Sequence, residues 1–449
     1  AIYENPKNNF YTPQRFLDPW GNAKMITYWS NYWLLPQSVT DAKNNSNSIL
    51  EYDWHSLQPL KMEDANDNIT EMCYDALGLA VAMAVKGKDD GTEGDTLDGL
   101  NIDSANDLHL QYDFWNDPKD NASDLLQGAT WRCVYDLEST PVAVAMIGRE
   151  EHHYESLGLP TKTLIQFVYS DGLGREIMQK VQCEPFFNNE VDKGATLSLV
   201  EGWIGTGRTI YNNKGKPVMQ FEPYFSDNHH CDTAEQAAMD GVSPKLYYDP
   251  LDRNYRTELP DGSFLKTEWT AWEQRIWDNN DTVLESAWYL ARKDGQMGVE
   301  EKDAAEKAAE HANTPTIIHT DSLGRGFYTI QLPLAEALEA IHSYENLDIQ
   351  NNRIAVVDGR GLLPLTYHYN MLQAPCLQTS IDSGTQRTLL DAAGQPLYAW
   401  DADDRETEMV YDALRRPLKK ITDTKELEVY VGLAEKESSI YTTLYFLKE

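Results

Sequence analysis

Basic residues are scarce. Lys and Arg total 38 against 72 Asp and Glu, a formal charge of −34 over 449 residues, and nucleic acid or an anionic membrane surface would require the basic footprint this chain lacks. Acidity of this order favours solubility and does not bear on the fold. Cysteine is also scarce. Cys73, Cys133, Cys183, Cys231 and Cys376 are odd in number, scattered and without a Cys-x-x-Cys pair, so no disulfide framework and no structural zinc site can be read from them. No apolar run is long enough to cross a bilayer, which argues against direct membrane insertion, and no signal peptide is recognisable. The chain opens at Ala1 in mid-pattern, so a piece of a longer polypeptide is expected.

Aromatic residues, by contrast, are plentiful, with 25 Tyr and 12 Trp, and they recur in a pattern. Tyr247 to Ser263 reads as strand, tight turn, strand: Tyr248-Asp249-Pro250-Leu251-Asp252-Arg253 makes one turn and Pro260-Asp261-Gly262 the next. The same template, aromatic-Asp-small-Leu-Gly-Arg, returns at Asp75 and Gly78, at Asp171, Gly174 and Arg175, at Asp321, Gly324 and Arg325, and at Asp412 and Arg416. A shorter variant begins at Asp18, Asp41 and Asp64, at equal intervals of 23 residues, and at Asp391. Asp at the first turn position accepts a backbone hydrogen bond, a later Gly or Asn tolerates positive φ, and the aromatic just before Asp can stack on its equivalent in the next hairpin. A generic sandwich turn does not require Leu-Gly-Arg after Asp. The repetition therefore predicts units that bury their apolar surface against neighbours.

Along the chain, Tyr28, Trp29, Tyr32 and Trp33 form the densest aromatic group and are expected to pack between strands. Residues 86–108 read as an exposed loop, with strands resuming at Leu108–Asp113 and Ala129–Asp136. His152-His153 and His229-His230-Cys231 invite a metal reading, but neighbouring side chains on a strand point to opposite faces, and solvated loop histidines are expected. Gly202-Trp203-Ile204-Gly205-Thr206-Gly207 is not a phosphate loop, because strand rather than helix follows it; its small residues are expected to let backbone pass under Trp203. Two stretches carry helix-forming composition: 299–313, with acid–base pairs at helical spacing, and the more amphipathic 334–344. No catalytic, cofactor-binding or metal constellation stands out.

The Tyr-Asp-x-Leu-Gly-Arg units resemble RHS/YD repeats. Gly202-Trp203-x-Gly205-Thr206-Gly207, then Asn212-Asn213-Lys214-Gly215-Lys216-Pro217-Val218-x-Gln220-x-Glu222-Pro223-x-Phe225, is similar to the B component of bacterial insecticidal toxin complexes, as are Gly241-Val242-Ser243-Pro244, Trp277-Asp278-x-Asn280-Asp281-Thr282 and Thr314-Pro315-Thr316. The resemblance runs colinearly through the whole chain. It implies a mainly β fold, a continuous spiralling sheet of hairpins forming part of a hollow shell with two short helical insertions. It also implies a non-enzymatic, secreted role without cofactors. The shell, with the C component, would enclose a cytotoxic C-terminal polypeptide for release through the A component's channel. Residues 1–449 would be one shell segment, with the SpvB-like and β-propeller domains upstream and the self-cleaving RHS core downstream. Asp252 and Arg415 stand where Gly is usual, Asn370 where Asp is usual, and Asp358-Gly359-Arg360-Gly361 is rearranged. Two other readings are a teneurin-like adhesion scaffold, for which paired cysteines and a membrane anchor would be expected, and a carbohydrate-active enzyme, for which no carboxylate pair stands out.

Overall fold

Alternating apolar residues between Asp-rich turns become antiparallel strands that pair largely in sequence order. The computed structural model describes residues 1–429 except 4–6, 30–31, 89–93, 103, 156–161, 188–198, 235–236, 238–241, 334–338 and 423–425. The chain divides into two units, Ala1–Ser243 and Pro244–Glu449.

In the first unit a 13-stranded sheet begins at Arg15–Leu17 and closes with Trp203–Thr206 and Tyr224–Ser226. Strands Ala80–Gly87 and Trp131–Asp136 pair directly, Ala82 opposite Arg132, although two helices lie between them in sequence. These are α1 (Ala105–Asn116) and α2 (Pro118–Leu126). The expected strand Leu108–Asp113 is therefore helical. Alternation of Leu108, Leu110 and Tyr112 suggested period two, but Ser104 caps a helix by accepting from the Asp107 N–H, and Asp107 and Phe114, two turns apart, are the buried positions. Nor is 86–108 simply exposed: α1 begins within it and Asp95 is wholly buried.

The helices cover one face of this sheet. Phe114, Ala122, Leu125 and Leu126 belong to one buried cluster with Ala82, Ala145, Ile147, Ile165, Phe167 and Met178. Phe114 stacks on Phe167 with centroids 6.0 Å apart. Burying each large side chain contributes about 1.5–3 kcal/mol. The aromatic group near residue 29 packs between strands as expected: Trp29 lies edge-on to Tyr52 at 6.1 Å and to Trp54 at 5.9 Å.

In the second unit, strands from Lys245–Tyr248 to Glu426–Val429 each pair with the next. Among the described residues of these strands only Phe264 and Ala355 are buried. Lateral pairing and cross-strand contacts replace a packed core: Arg256 sits 3.8 Å over Phe264, and Tyr328 stacks on Tyr344 at 4.5 Å. One insertion holds the helices Ala287–Arg292 and Val299–Ala309, the second within the expected 299–313. Buried Asp281 ties its ends, accepting from the Thr314 N–H at 3.0 Å and the Asp278 N–H at 2.8 Å. The helix expected over 334–344 is not found where the structure describes it. Residues 334–338 lie outside the described residues, and Ile341–Leu347 is a strand pairing on both sides, with Tyr344 opposite Tyr328 and Val357. Ladder pairing and aromatic stacking override the amphipathic pattern there.

Candidate functional site

Each repeat turn is built around one carboxylate. In the turn after Thr163–Ser170, Asp171 Oδ1 accepts the N–H groups of Leu173 at 2.9 Å and Arg175 at 3.0 Å, while Oδ2 takes Arg175 Nε at 2.8 Å and a terminal guanidinium nitrogen at 2.6 Å. The Arg175 side chain and these backbone donors hold the Asp171 carboxyl below its usual range, and Asp321 is held low in the same way by Arg325. Asp249 with Arg253 and Asp412 with Arg416 repeat the arrangement, and Asp75 keeps its two backbone bonds. Where Asn replaces Arg, as at Asn22, Asn45, Asn68 and Asn352, its amide donates to the same second oxygen.

In the turns of the template the residue three after Asp takes the left-handed conformation: φ is +78° at Gly78, +73° at Gly174 and +75° at Gly324. The departures from the template keep this geometry. Asp252 and Arg415 adopt φ of 62° and 63°, Gly361 serves the rearranged turn at 76°, and Asn370 accepts from Leu372 and Ala374 as an Asp would. Arg415 also ion-pairs with Asp391 of a neighbouring turn and lies 4.5 Å over Tyr411, contacts that offset its backbone strain. At Gly174 nothing stands within 4 Å of an added Cβ, so Gly174→Val is a test of backbone conformation alone. It should cost about 1–3 kcal/mol in urea unfolding, with Gly174→Asn nearly neutral because Asn44 and Asn351 hold this position elsewhere. An unchanged midpoint for the Val variant would count against the argument.

Stacking is not the main task of the aromatic before Asp. Tyr52, Tyr74, Tyr369 and Tyr411 donate their hydroxyls to the carbonyls of Pro36, Pro59, Arg353 and Pro396, at 2.7, 3.1, 2.8 and 2.8 Å, tying these four hairpins to preceding chain. Phenol length made this legible in principle, since Phe never stands at these positions. The turn residues expected from the sequence thus meet within their own turns, with Arg325 and Arg415 also reaching a neighbouring turn.

A different cluster has no signature in the sequence. Lys180, wholly buried, donates to Ser226 Oγ at 2.6 Å, the Asn228 carbonyl at 2.8 Å and Asp232 Oδ1 at 2.9 Å; Tyr224 donates to Asp232 Oδ2 at 2.8 Å. Burial lowers the Lys180 pKa even beside Asp232, and burial raises that of Tyr224. All three ammonium donors and both carboxylate oxygens are committed, so the group acts as a clamp fixing the 224–232 segment on strand Glu176–Gln182. His229, expected to be solvated, is buried between Phe167 at 4.9 Å and Trp203 at 5.9 Å, with Nε2 3.2 Å from the Trp115 carbonyl of α1. Burial, with neighbouring His230, pushes its pKa down to about 4. His230 is exposed, as expected. Gly202 and Gly205 clear space for Phe225 and Tyr224 rather than for backbone under Trp203: an added Cβ would meet those rings at 2.4 and 3.0 Å. At the other histidine pair, buried Asp95 holds His152 Nδ1 at 3.1 Å and accepts the His153 N–H at 2.7 Å.

No family model and no curated protein matches the chain. Solved structures do. The crystal structure of TcdB2-TccC3 superposes with a TM-score of 0.72 over 94% of this chain at 20% identity. The fold is that of one stretch of TcdB2-TccC3. The TcdB2-TccC3-Cdc42 crystal structure gives the same score at 18% identity over 94%, and the Photorhabdus luminescens Tc holotoxin pore gives 0.66 at 19% over 94%. This chain spans only 21% of the matched TcdB2-TccC3 chain, and 23% and 22% of the other two.

Proposed function

We propose that this chain is a wall segment of a secreted Tc toxin B component, which with a C component encloses and shields a cytotoxic polypeptide for delivery through a translocation channel. The observation that carries this is the likeness to TcdB2-TccC3 along 94% of the chain. The ladder fits a wall: the repeat turns are closed from within, several hairpins are fastened to their predecessors, and the second unit's strands extend by lateral pairing with few buried residues. In this reading the chain is no enzyme, and the closed Lys180–Asp232 clamp has a structural role.

The test is to assemble the protein containing this chain with its C component and expose the complex to protease. The enclosed polypeptide should survive until the complex is denatured, and a side-chain-resolution map should show the ribbon around unassigned density. Digestion of the C-terminal polypeptide at the rate seen without this chain would refute the reading.

A further inference from the structure

Among the described residues three ion pairs are buried on both sides: Arg132 with Asp107, Arg149 with Asp95, and Lys180 with Asp232. A guanidinium holds its protons too tightly to act as a nucleophile. An ammonium does not, and burial lowers the Lys180 pKa. Only the third pair therefore brings an amine and a carboxyl group together out of water, at 0% and 7% side-chain exposure, with Nζ 2.9 Å from Oδ1. Other groups fix both partners. Ser226 Oγ and the Asn228 carbonyl hold Nζ at 2.6 and 2.8 Å, and the Tyr224 hydroxyl holds Oδ2 at 2.8 Å. Tyr224 and Met178 beside them belong to the unit's buried apolar cluster.

We infer that Lys180 and Asp232 condense in the folded chain to an isopeptide bond, an amide between the two side chains. The bond from Nζ to the Asp232 carboxyl carbon forms, and the bond from that carbon to Oδ1 breaks. Oδ1 takes two of the ammonium protons and leaves as water; the remaining proton stays on the amide nitrogen, so no further reactant is consumed. Ser226, hydrogen-bonded to Nζ, relays a proton. Tyr224 keeps its own proton because burial raises its pKa, and it donates to Oδ2, where negative charge develops as nitrogen adds. In water such a pair stays ionised because both ions are hydrated. Here that hydration is gone and the buried ions are costly, which favours the neutral amide, while fixed proximity supplies an effective concentration of about 10⁵–10⁸ M. The ion pair is the state on folding and the amide follows slowly, so unfolding of freshly prepared protein reads the ion pair. Proximity alone is insufficient: Lys307 and Asp303 lie 2.6 Å apart but 73% and 59% exposed, and they should remain ions. The inference is independent of the wall reading above.

The test is the intact mass of the full chain in denaturant, on purification and through incubation of the folded protein at neutral pH. The parent should become lighter by one water, and a tryptic digest should show the Lys180 peptide joined to the Asp232 peptide, with normal cleavage after Lys307. Lys180→Arg should keep its full mass, and Tyr224→Phe should convert roughly a hundredfold more slowly, with unfolding midpoints verifying that each variant is folded. A parent whose mass never changes, a water lost instead at an Asp-Gly step such as Asp171-Gly172, or conversion of the Lys180→Arg variant would overturn the inference. Equal rates in the parent and Tyr224→Phe would overturn the part given to Tyr224.

Discussion

Asp232→Ala should destabilise the first unit by about 3–5 kcal/mol, more than any turn substitution, because it strands a buried ammonium. Lys180 has no solvent exposure and Asp232 only 7% at the side chain, so water cannot replace the lost carboxylate without opening the fold. Tyr224 would lose its acceptor as well. Removing both charges should behave differently. Lys180→Met with Asp232→Leu leaves no uncompensated ion, and most of the loss should be recovered, since a buried pair seldom outperforms well-packed apolar residues. Urea denaturation of the two single variants and the double variant measures this directly. A loss under about 1 kcal/mol for Asp232→Ala would mean that the clamp is solvated and the burial argument wrong.

Acidification should weaken the same unit before most carboxylates titrate. His229 has its folded pKa depressed from 6.5 to about 4, so the unfolded chain binds the extra proton between those values. The contribution is therefore fully present above pH 6.5 and disappears as pH falls towards 4, a loss of roughly 3 kcal/mol at 1.36 kcal/mol per pKa unit. The cause is burial: a charged ring would sit out of water between Phe167 and Trp203 and beside His230 and Lys180, which together outweigh the Trp115 carbonyl that favours the proton. His229→Gln should flatten the stability profile between pH 6.5 and 4. A parent profile already flat over that window would refute the assignment.

Local chemistry was legible in the sequence wherever backbone preference decides the outcome. Asp171, Gly174 and Arg175 announce their turn, and even Arg415 and Asp252, which break the rule, keep its geometry because the bonds around Asp determine it. Tertiary packing was not legible in this way. Leu108, Leu110 and Tyr112 alternate as strand residues do, whereas Asp107 and Phe114, which mark the helix, matter only once Arg132 and Phe167 are in place. His229 lies in a polar run, Asn228-His229-His230-Cys231-Asp232, and nothing local says that Lys180 draws Asp232 inward. The 341–347 segment could form either structure by composition, and its neighbours on both sides made it strand.

The tyrosine hydroxyls that reach back 15 or 16 residues also give the ribbon a direction. Each of these four hydroxyls finds its acceptor on chain already emerged from the ribosome. Such short-range contacts close quickly, so synthesis from the N-terminus can double as assembly. A ribosome that stalls midway would leave the tyrosine ties already read in place.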